Sequence, residues 1–175
     1  MKPLLPLALF LLACSADPAD AAPPQKTPPA KSSAVAPKAE EAPIFDPIAD
    51  GEMTLAHYKS VCEQSSRRLL LLFGTNDCGP CRVVNKAIHD PKFLRPLLKQ
   101  FVPAFVDVTP GTANAGLPPR YGIDPKAPLP GVVIFDSKHN VTETLKNGEM
   151  AAVASGGPEA VQLWILQRFE RSTPN

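Results

Sequence analysis

The stretch Leu69-Leu70-Leu71-Leu72-Phe73-Gly74-Thr75-Asn76-Asp77-Cys78-Gly79-Pro80-Cys81-Arg82 decides how the chain is read. Its first half is short and continuously apolar, the pattern of a central strand covered on both faces. Its second half leads into Arg82-Val83-Val84-Asn85-Lys86-Ala87-Ile88, which is compatible with a helix. Two cysteines three positions apart at a helix start lie on the same side of the first turn, close enough to bond. Cys78 meets the unpaired amides and positive dipole end of that helix, which favour thiolate over thiol. Cys81 sits one turn deeper and can attack a mixed disulfide formed by Cys78. A Cys-x-x-Cys also occurs in zinc sites, so the motif needs support from the rest of the chain.

That support comes from the order of elements. Upstream, Thr54 is the expected cap of a helix from Leu55 to about Arg67, which brings Leu55, Tyr58, Val61 and Cys62 to one side. Downstream, the active-site helix runs from Gly79 to Ile88. Asp90-Pro91 restarts a helix, with Phe93, Leu94, Leu97 and Leu98 on one side. Phe101 to Val108 reads as a strand, and Ala113 to Tyr121 as a short helical turn limited by Pro118-Pro119. Gly131 to Phe135 and Val141 to Leu145 read as two more strands, and Asn147-Gly148 as a turn. Pro158 opens a last helix with Val161, Leu163, Trp164, Leu166 and Phe169 mostly inward. The order implies an α/β domain, a mixed sheet with helices on both faces.

The remaining polar candidates are plain. Cys62 reads as a buried free thiol, since free cysteine is among the most buried residue types; a regulatory or intermolecular disulfide is the alternative. His57, His89 and His139 are dispersed, with His89 at the surface. Structural zinc would want four ligands and the domain has no second cysteine pair, so no metal is expected. Arg82 stands where covalent haem attachment requires histidine. The chain of 175 residues has a net charge of +1, which argues against a nucleic-acid surface.

Phe73 to Arg82 resembles the active-site segment of the thioredoxin superfamily, Gly79-Pro80 included. The element order resembles the thioredoxin fold over nearly all of residues 54–171. Tyr121-Gly122-Ile123 followed by Leu129-Pro130-Gly131-Val132-Val133-Ile134-Phe135 resembles the segment that holds that family's cis-proline. On that match Pro130 is the cis-proline, and the Leu129-Pro130 loop presents backbone to a bound substrate chain in strand-like fashion. The resemblance implies a thiol–disulfide oxidoreductase without a cofactor, with Cys78 and Cys81 catalytic. Gly79-Pro80 leans it towards reduction.

Three features depart from the family. Asp77 replaces a tryptophan, and a carboxylate beside Cys78 opposes thiolate formation unless it points into solvent. Leu72 replaces a buried aspartate, the usual proton acceptor for the deeper cysteine; Asp107 or a water is the candidate substitute. The loop from Asp124 to Leu129 is longer and should border the active site. The rival readings are an oxidase or isomerase of the same fold, a non-catalytic polypeptide-binding module, and a copper(I)-delivery protein using the Cys78/Cys81 pair.

The N-terminus bears on location. Met1-Lys2, an apolar run from Pro3 to Ala13 and then Cys14 describe a secretory signal. The run is well short of the roughly 20 residues of a membrane-spanning helix. Leu11-Leu12-Ala13-Cys14 resembles the lipobox of bacterial lipoproteins, which implies cleavage before Cys14 and lipid on it; an ordinary signal peptide is the alternative. Ser15 in place of an aspartate mildly favours an outer-membrane anchor in a cell with two membranes. More than half of residues 15–43 are alanine or proline, a composition that cannot offset its ordering entropy by burial. The expected division is a signal peptide at 1–13, a lipidated cysteine and tether at 14–43, and the folded domain at 44–175. The expected partners are disulfide-containing envelope proteins, a membrane thiol-redox protein and the membrane itself through Cys14. The domain is expected to be a monomer.

Overall fold

The computed structural model describes residues 42–170. The signal segment, Cys14 and all of the tether up to residue 41 lie outside the described residues, as does the end of the chain from 171. No helix among the described residues is long and apolar enough to cross a membrane.

The apolar run forms β1 (Arg68–Gly74), buried from Leu69 onward. β2 (Phe101–Asp107) lies parallel to it, with Leu72 opposite Phe105 and Gly74 opposite Asp107. β3 (Gly131–Phe135) runs antiparallel on the other side, with Leu71 opposite Val133 and Phe73 opposite Gly131. β4 (Val141–Leu145) is antiparallel to β3, so the sheet order is β2-β1-β3-β4. This is the mixed sheet expected from the element order.

Period-two alternation of strand side chains separates two cores. Leu70, Leu72, Val132 and Ile134 face α2 (Gly79–Ile88), α3 (Pro91–Gln100), α5 (Glu149–Ala154) and α6 (Pro158–Glu170). Leu69, Leu71, Phe73, Val133 and Phe135 face α1 (Gly51–Ser65) and Leu117 of α4 (Leu117–Arg120). A strand buried on both faces has no polar side to alternate with, which explains the four consecutive leucines. Arg168 of α6 makes a two-pronged ion pair with Glu143 of β4, at 2.5 and 2.8 Å, and so ties the last helix to the edge strand.

Most elements sit where expected; four details differ. α1 begins at Gly51, capped by Asp50 rather than Thr54. Asp50 Oδ1 accepts from the amides of Glu52 and Met53 at 2.9 and 3.1 Å, and Thr54 Oγ1 donates to the Asp50 carbonyl. The earlier carboxylate captures the free amides, which leaves Thr54 inside the first turn. Helix α5 follows Gly148, where only a turn was expected; six residues are too few for a periodic signal. In α6 the inward row is Val161 and Ile165, four apart, so Leu163 and Leu166 are turned out, 58% and 39% exposed. Leu98 of α3 is turned out as well, while Phe93 and Leu97 are buried.

The last residue of β1 carries the tightest constraint in the sheet. A Cβ on Gly74 would lie 2.3 Å from Phe45 Cζ and 2.9 Å from Cys81 Sγ. Neither neighbour is the free end of a flexible chain, since one is a buried ring and the other half of a disulfide. Gly74→Ala is therefore expected to cost about 1–3 kcal/mol in urea unfolding, the usual penalty of overpacking. Gly79→Ala, with open space at its Cβ position, is expected to change stability by less than about 0.5 kcal/mol.

Candidate active site

The site is built at the C-terminal end of β1, where Thr75-Asn76-Asp77 turns the chain into α2. Cys78 is the N-cap of that helix, in extended conformation, and its Sγ accepts a hydrogen bond from the Cys81 amide at 3.1 Å. Gly79 and Pro80 open the helix, and a proline there loses nothing because the first amides have no partner within the helix. Cys78 and Cys81 are joined in a disulfide, with Cα atoms 5.2 Å apart. Cys78 is half-buried, whereas Cys81 is 2% exposed. An incoming nucleophile can therefore reach one sulfur more readily than the other.

The second wall of the site is the loop entering β3. The Leu129–Pro130 peptide bond is cis, and Pro130 is buried. Gly131 pairs with Phe73, one residue before the end of β1, so Pro130 stands at the same end of the sheet as the dithiol. Beside it lies a cleft of about 210 Å³, lined by Thr75, Val108, Pro118, Ile123, Pro125 and Leu129. The loop from Asp124 to Leu129 thus contributes both its ends to a wall that also contains Thr75 of the active-site turn.

The three departures from the family pattern resolve differently. Asp77 is exposed, so water screens its charge at Cys78. Leu72 is 1% exposed and packs into the core on the α2 side. Asp107 is 2% exposed, and its Oδ1 accepts from the Thr109 amide at 2.9 Å. Its Oδ2 is buried with no hydrogen-bond partner among the described residues. Paired residues of neighbouring strands point to the same face of a sheet. Asp107 is the partner of Gly74, and the direction of a Gly74 Cβ leads to Cys81 Sγ. The carboxylate therefore lies on the Cys81 side of the sheet.

Two residues of the site carry no obvious motif. Asn76 Oδ1 accepts from the amides of both Ile44 and Phe45, at 2.8 and 3.0 Å, and its Nδ2 donates to the Phe45 carbonyl at 2.9 Å. Arg82 donates to the Asn76 carbonyl at 2.7 Å. The only sequence signal is that Asn-Asp after a strand is turn chemistry; a partner 31 residues away is invisible at that level.

Cys62 is a free thiol, fully buried in the core beneath α1. Burial pushes its thiol upward from the ordinary value, against a smaller opposing pull from Arg67. His89 is exposed with its Nδ1 against the Asn85 carbonyl, and His139 Nε2 faces the Lys59 carbonyl. Among the described residues no cluster of three or more potential metal ligands forms.

A parallel–antiparallel sheet, a Cys-Gly-Pro-Cys disulfide at a helix start and a cis-proline at the same sheet edge now stand together. The fold is thioredoxin-like. Residues 51–137 match a family model described as thioredoxin-like. Among solved structures, the chain is similar to a disulphide isomerase from Xylella fastidiosa Temecula1, with 26% identity and a TM-score of 0.65. That match covers 72% of this chain and 96% of the other. It also resembles the C-terminal domain of DsbD from Neisseria meningitidis, at 19% identity and a TM-score of 0.42, over 62% of this chain and 97% of that one. A comparison with curated proteins finds no match.

In this thioredoxin-like domain the burial order of the three described cysteines sets their reactivity once the disulfide is reduced. Cys78 is expected to react with iodoacetamide at least tenfold faster than Cys81 or Cys62, as read by mass spectrometry of the labelled peptides. The folded state also holds the Cys62 proton more tightly than the unfolded chain does. Stability is therefore fully present below the ordinary thiol range and falls as pH rises through and beyond it. Tyr121, raised by burial first and by Glu52 second, steepens that fall. Cys62→Ala is expected to flatten the alkaline limb of a stability–pH curve.

Proposed function

We propose that the protein is a thiol–disulfide oxidoreductase of the cell envelope that reduces disulfides in exported proteins. The observation that carries this reading is the Cys78–Cys81 disulfide at the start of α2, with an accessible first sulfur and a buried second. In the reduced form, the Cys78 thiolate attacks a substrate disulfide. One substrate sulfur leaves as thiolate and the other stays bonded to Cys78. Cys81 then attacks Cys78 Sγ, which expels the second substrate thiolate and closes the enzyme disulfide. The substrate gains two electrons and the dithiol loses two. A membrane thiol-redox partner restores the dithiol by the same exchange in reverse.

Asp107 accepts the Cys81 proton in this scheme. It is the buried carboxylate on the Cys81 side of the sheet, and its Oδ2 has a lone pair to offer. Pro130 and Leu129 receive the substrate backbone, and the adjoining cleft takes a neighbouring apolar side chain. The export signal and the Leu11-Leu12-Ala13-Cys14 lipobox support a periplasm-facing domain held to the membrane by lipid on Cys14, at the end of the 14–43 tether.

A second reading, isomerisation, has one observation in its favour: the likeness to the Xylella disulphide isomerase. The two differ in the fate of the mixed disulfide. A reductase closes on Cys81, whereas an isomerase lets the substrate's own thiol resolve it.

The test combines a potential with trapping. A Cys78–Cys81 potential near −270 mV and rapid reduction of insulin support the reductase. A strongly oxidising potential, with reactivation of scrambled ribonuclease but little insulin reduction, supports the isomerase. Cys78→Ser is expected to abolish exchange, and Cys81→Ser to accumulate mixed disulfides with exported proteins. Asp107→Asn is expected to slow resolution of the mixed disulfide on the order of 10²-fold, the usual yield of a positioned general base. Absence of exchange in the parent protein would overturn the enzyme reading.

A further inference from the structure

The chain just before α1 enters the redox centre from behind. Ile44 and Phe45 are held to the active-site turn by three hydrogen bonds, all to the side-chain amide of Asn76. The asparagine amide is used at both ends, its oxygen taking two amides and its nitrogen giving one proton to a carbonyl. It fixes the backbone of residues 44–45 in direction as well as in place. Arg82, on the first turn of α2, donates to the Asn76 carbonyl at 2.7 Å. The latch thus ties together the lead-in, the turn and the helix that carries both cysteines.

What the latch delivers is the ring of Phe45. The side chain is 1% exposed and makes an edge-on contact with Phe105 of β2, ring centres 5.8 Å apart. The same small volume beside Gly74 that a Cβ would occupy is bounded by Phe45 Cζ at 2.3 Å, Phe45 Cε2 at 2.9 Å and Cys81 Sγ at 2.9 Å. The ring and the inner sulfur therefore flank one point at the end of β1. The absence of a side chain at Gly74 is what lets them approach. Both the ring and the Cys81 residue are almost fully buried, so the ring stands on the protein side of the sulfur.

We propose that the lead-in is part of the redox centre: Asn76 latches it, and Phe45 seals the inner face of Cys81 against water and small reagents. Cys81 is thereby limited to one partner, the sulfur of Cys78. Phe45 and Asn76 are positioning residues, since neither carries the exchanging sulfur. Charged groups on the neighbouring elements include Asp107 of β2, across from Gly74, and Arg82 of α2, which donates to the Asn76 carbonyl. None of the three substitutions below at Phe45 and Asn76 removes a charge. The proposal rests on the reading of Cys78 and Cys81 as an exchanging pair for its purpose, but its test needs no substrate.

The test is made in the full chain carrying Cys78→Ser, so that Cys81 is a free thiol, with iodoacetamide labelling followed peptide by peptide. Cys62, buried in the other core, is the internal standard for general loosening. Phe45→Ala is expected to raise the Cys81 labelling rate tenfold or more and to leave Cys62 unchanged. Phe45→Leu, which keeps an apolar plug, should stay within about threefold of the parent. Asn76→Ala should raise the Cys81 rate in the same direction as Phe45→Ala, although it lies on the far side of the latch. An unchanged Cys81 rate in Phe45→Ala and Asn76→Ala would overturn the proposal. So would equal rises at Cys81 and Cys62. If Phe45→Ala does not fold, Asn76→Ala and Phe45→Leu decide between the same outcomes. Failure of the parent protein to exchange with either insulin or scrambled ribonuclease would sink the oxidoreductase reading and leave this result standing.

Discussion

The redox end of this domain depends on one missing side chain. Gly74 closes β1 at the point where the sheet, the lead-in and the first turn of α2 converge. A larger residue would push the Phe45 ring or the Cys81 sulfur out of place, and interiors packed like crystals have nowhere to send them. The glycine is needed here for space, since its backbone lies in a strand that any residue could adopt. That contact sits against Cys81, which is buried, while Cys78 is half-buried, and so the two sulfurs differ in access.

The polar chemistry is arranged around the same point. The central strand offers only apolar side chains near the dithiol, because Leu72 is part of the core beneath α2. The carboxylate is carried instead by the neighbouring strand, at Asp107, one strand spacing from Gly74. Parallel pairing makes this displacement conservative: partners in register share a face, so a group moved across one strand still looks to the same side of the sheet. Burying a carboxylate oxygen without a hydrogen-bond partner is costly, and such groups concentrate where chemistry uses them. The exposed Asp77, although next to Cys78 in sequence, has its charge screened by solvent.

Much of this was legible in the residues themselves. The four leucines before Phe73 required a strand covered on both faces, and the structure has two cores meeting on β1. Asp90-Pro91 and Pro158 marked helix starts that the structure reproduces, because capping and proline geometry are local. Misplaced boundaries came where two local signals competed, as with Asp50 and Thr54 at the start of α1. The outward turn of Leu163 and Leu166 came from a helix with more apolar residues than its contact face could take. Helix α5 was too short to leave a periodic trace.

Sequence by itself determined the thioredoxin-like order of elements and the Cys78/Cys81 pair. Each rests on residues close together in the chain, where spacing and turn chemistry act without the rest of the fold. Only the tertiary structure decided what surrounds the inner sulfur. Asn76 meets Phe45 across 31 positions, and Gly74 meets Asp107 across a strand pairing. Contacts of that range exist only after the sheet has formed, and they leave no period or motif in the sequence. The dithiol at residues 78–81 is therefore named by its own four residues, whereas the phenylalanine and asparagine beside it are joined to it by no local pattern, and Asp107, a candidate from the sequence, is placed on its side of the sheet only by strand pairing.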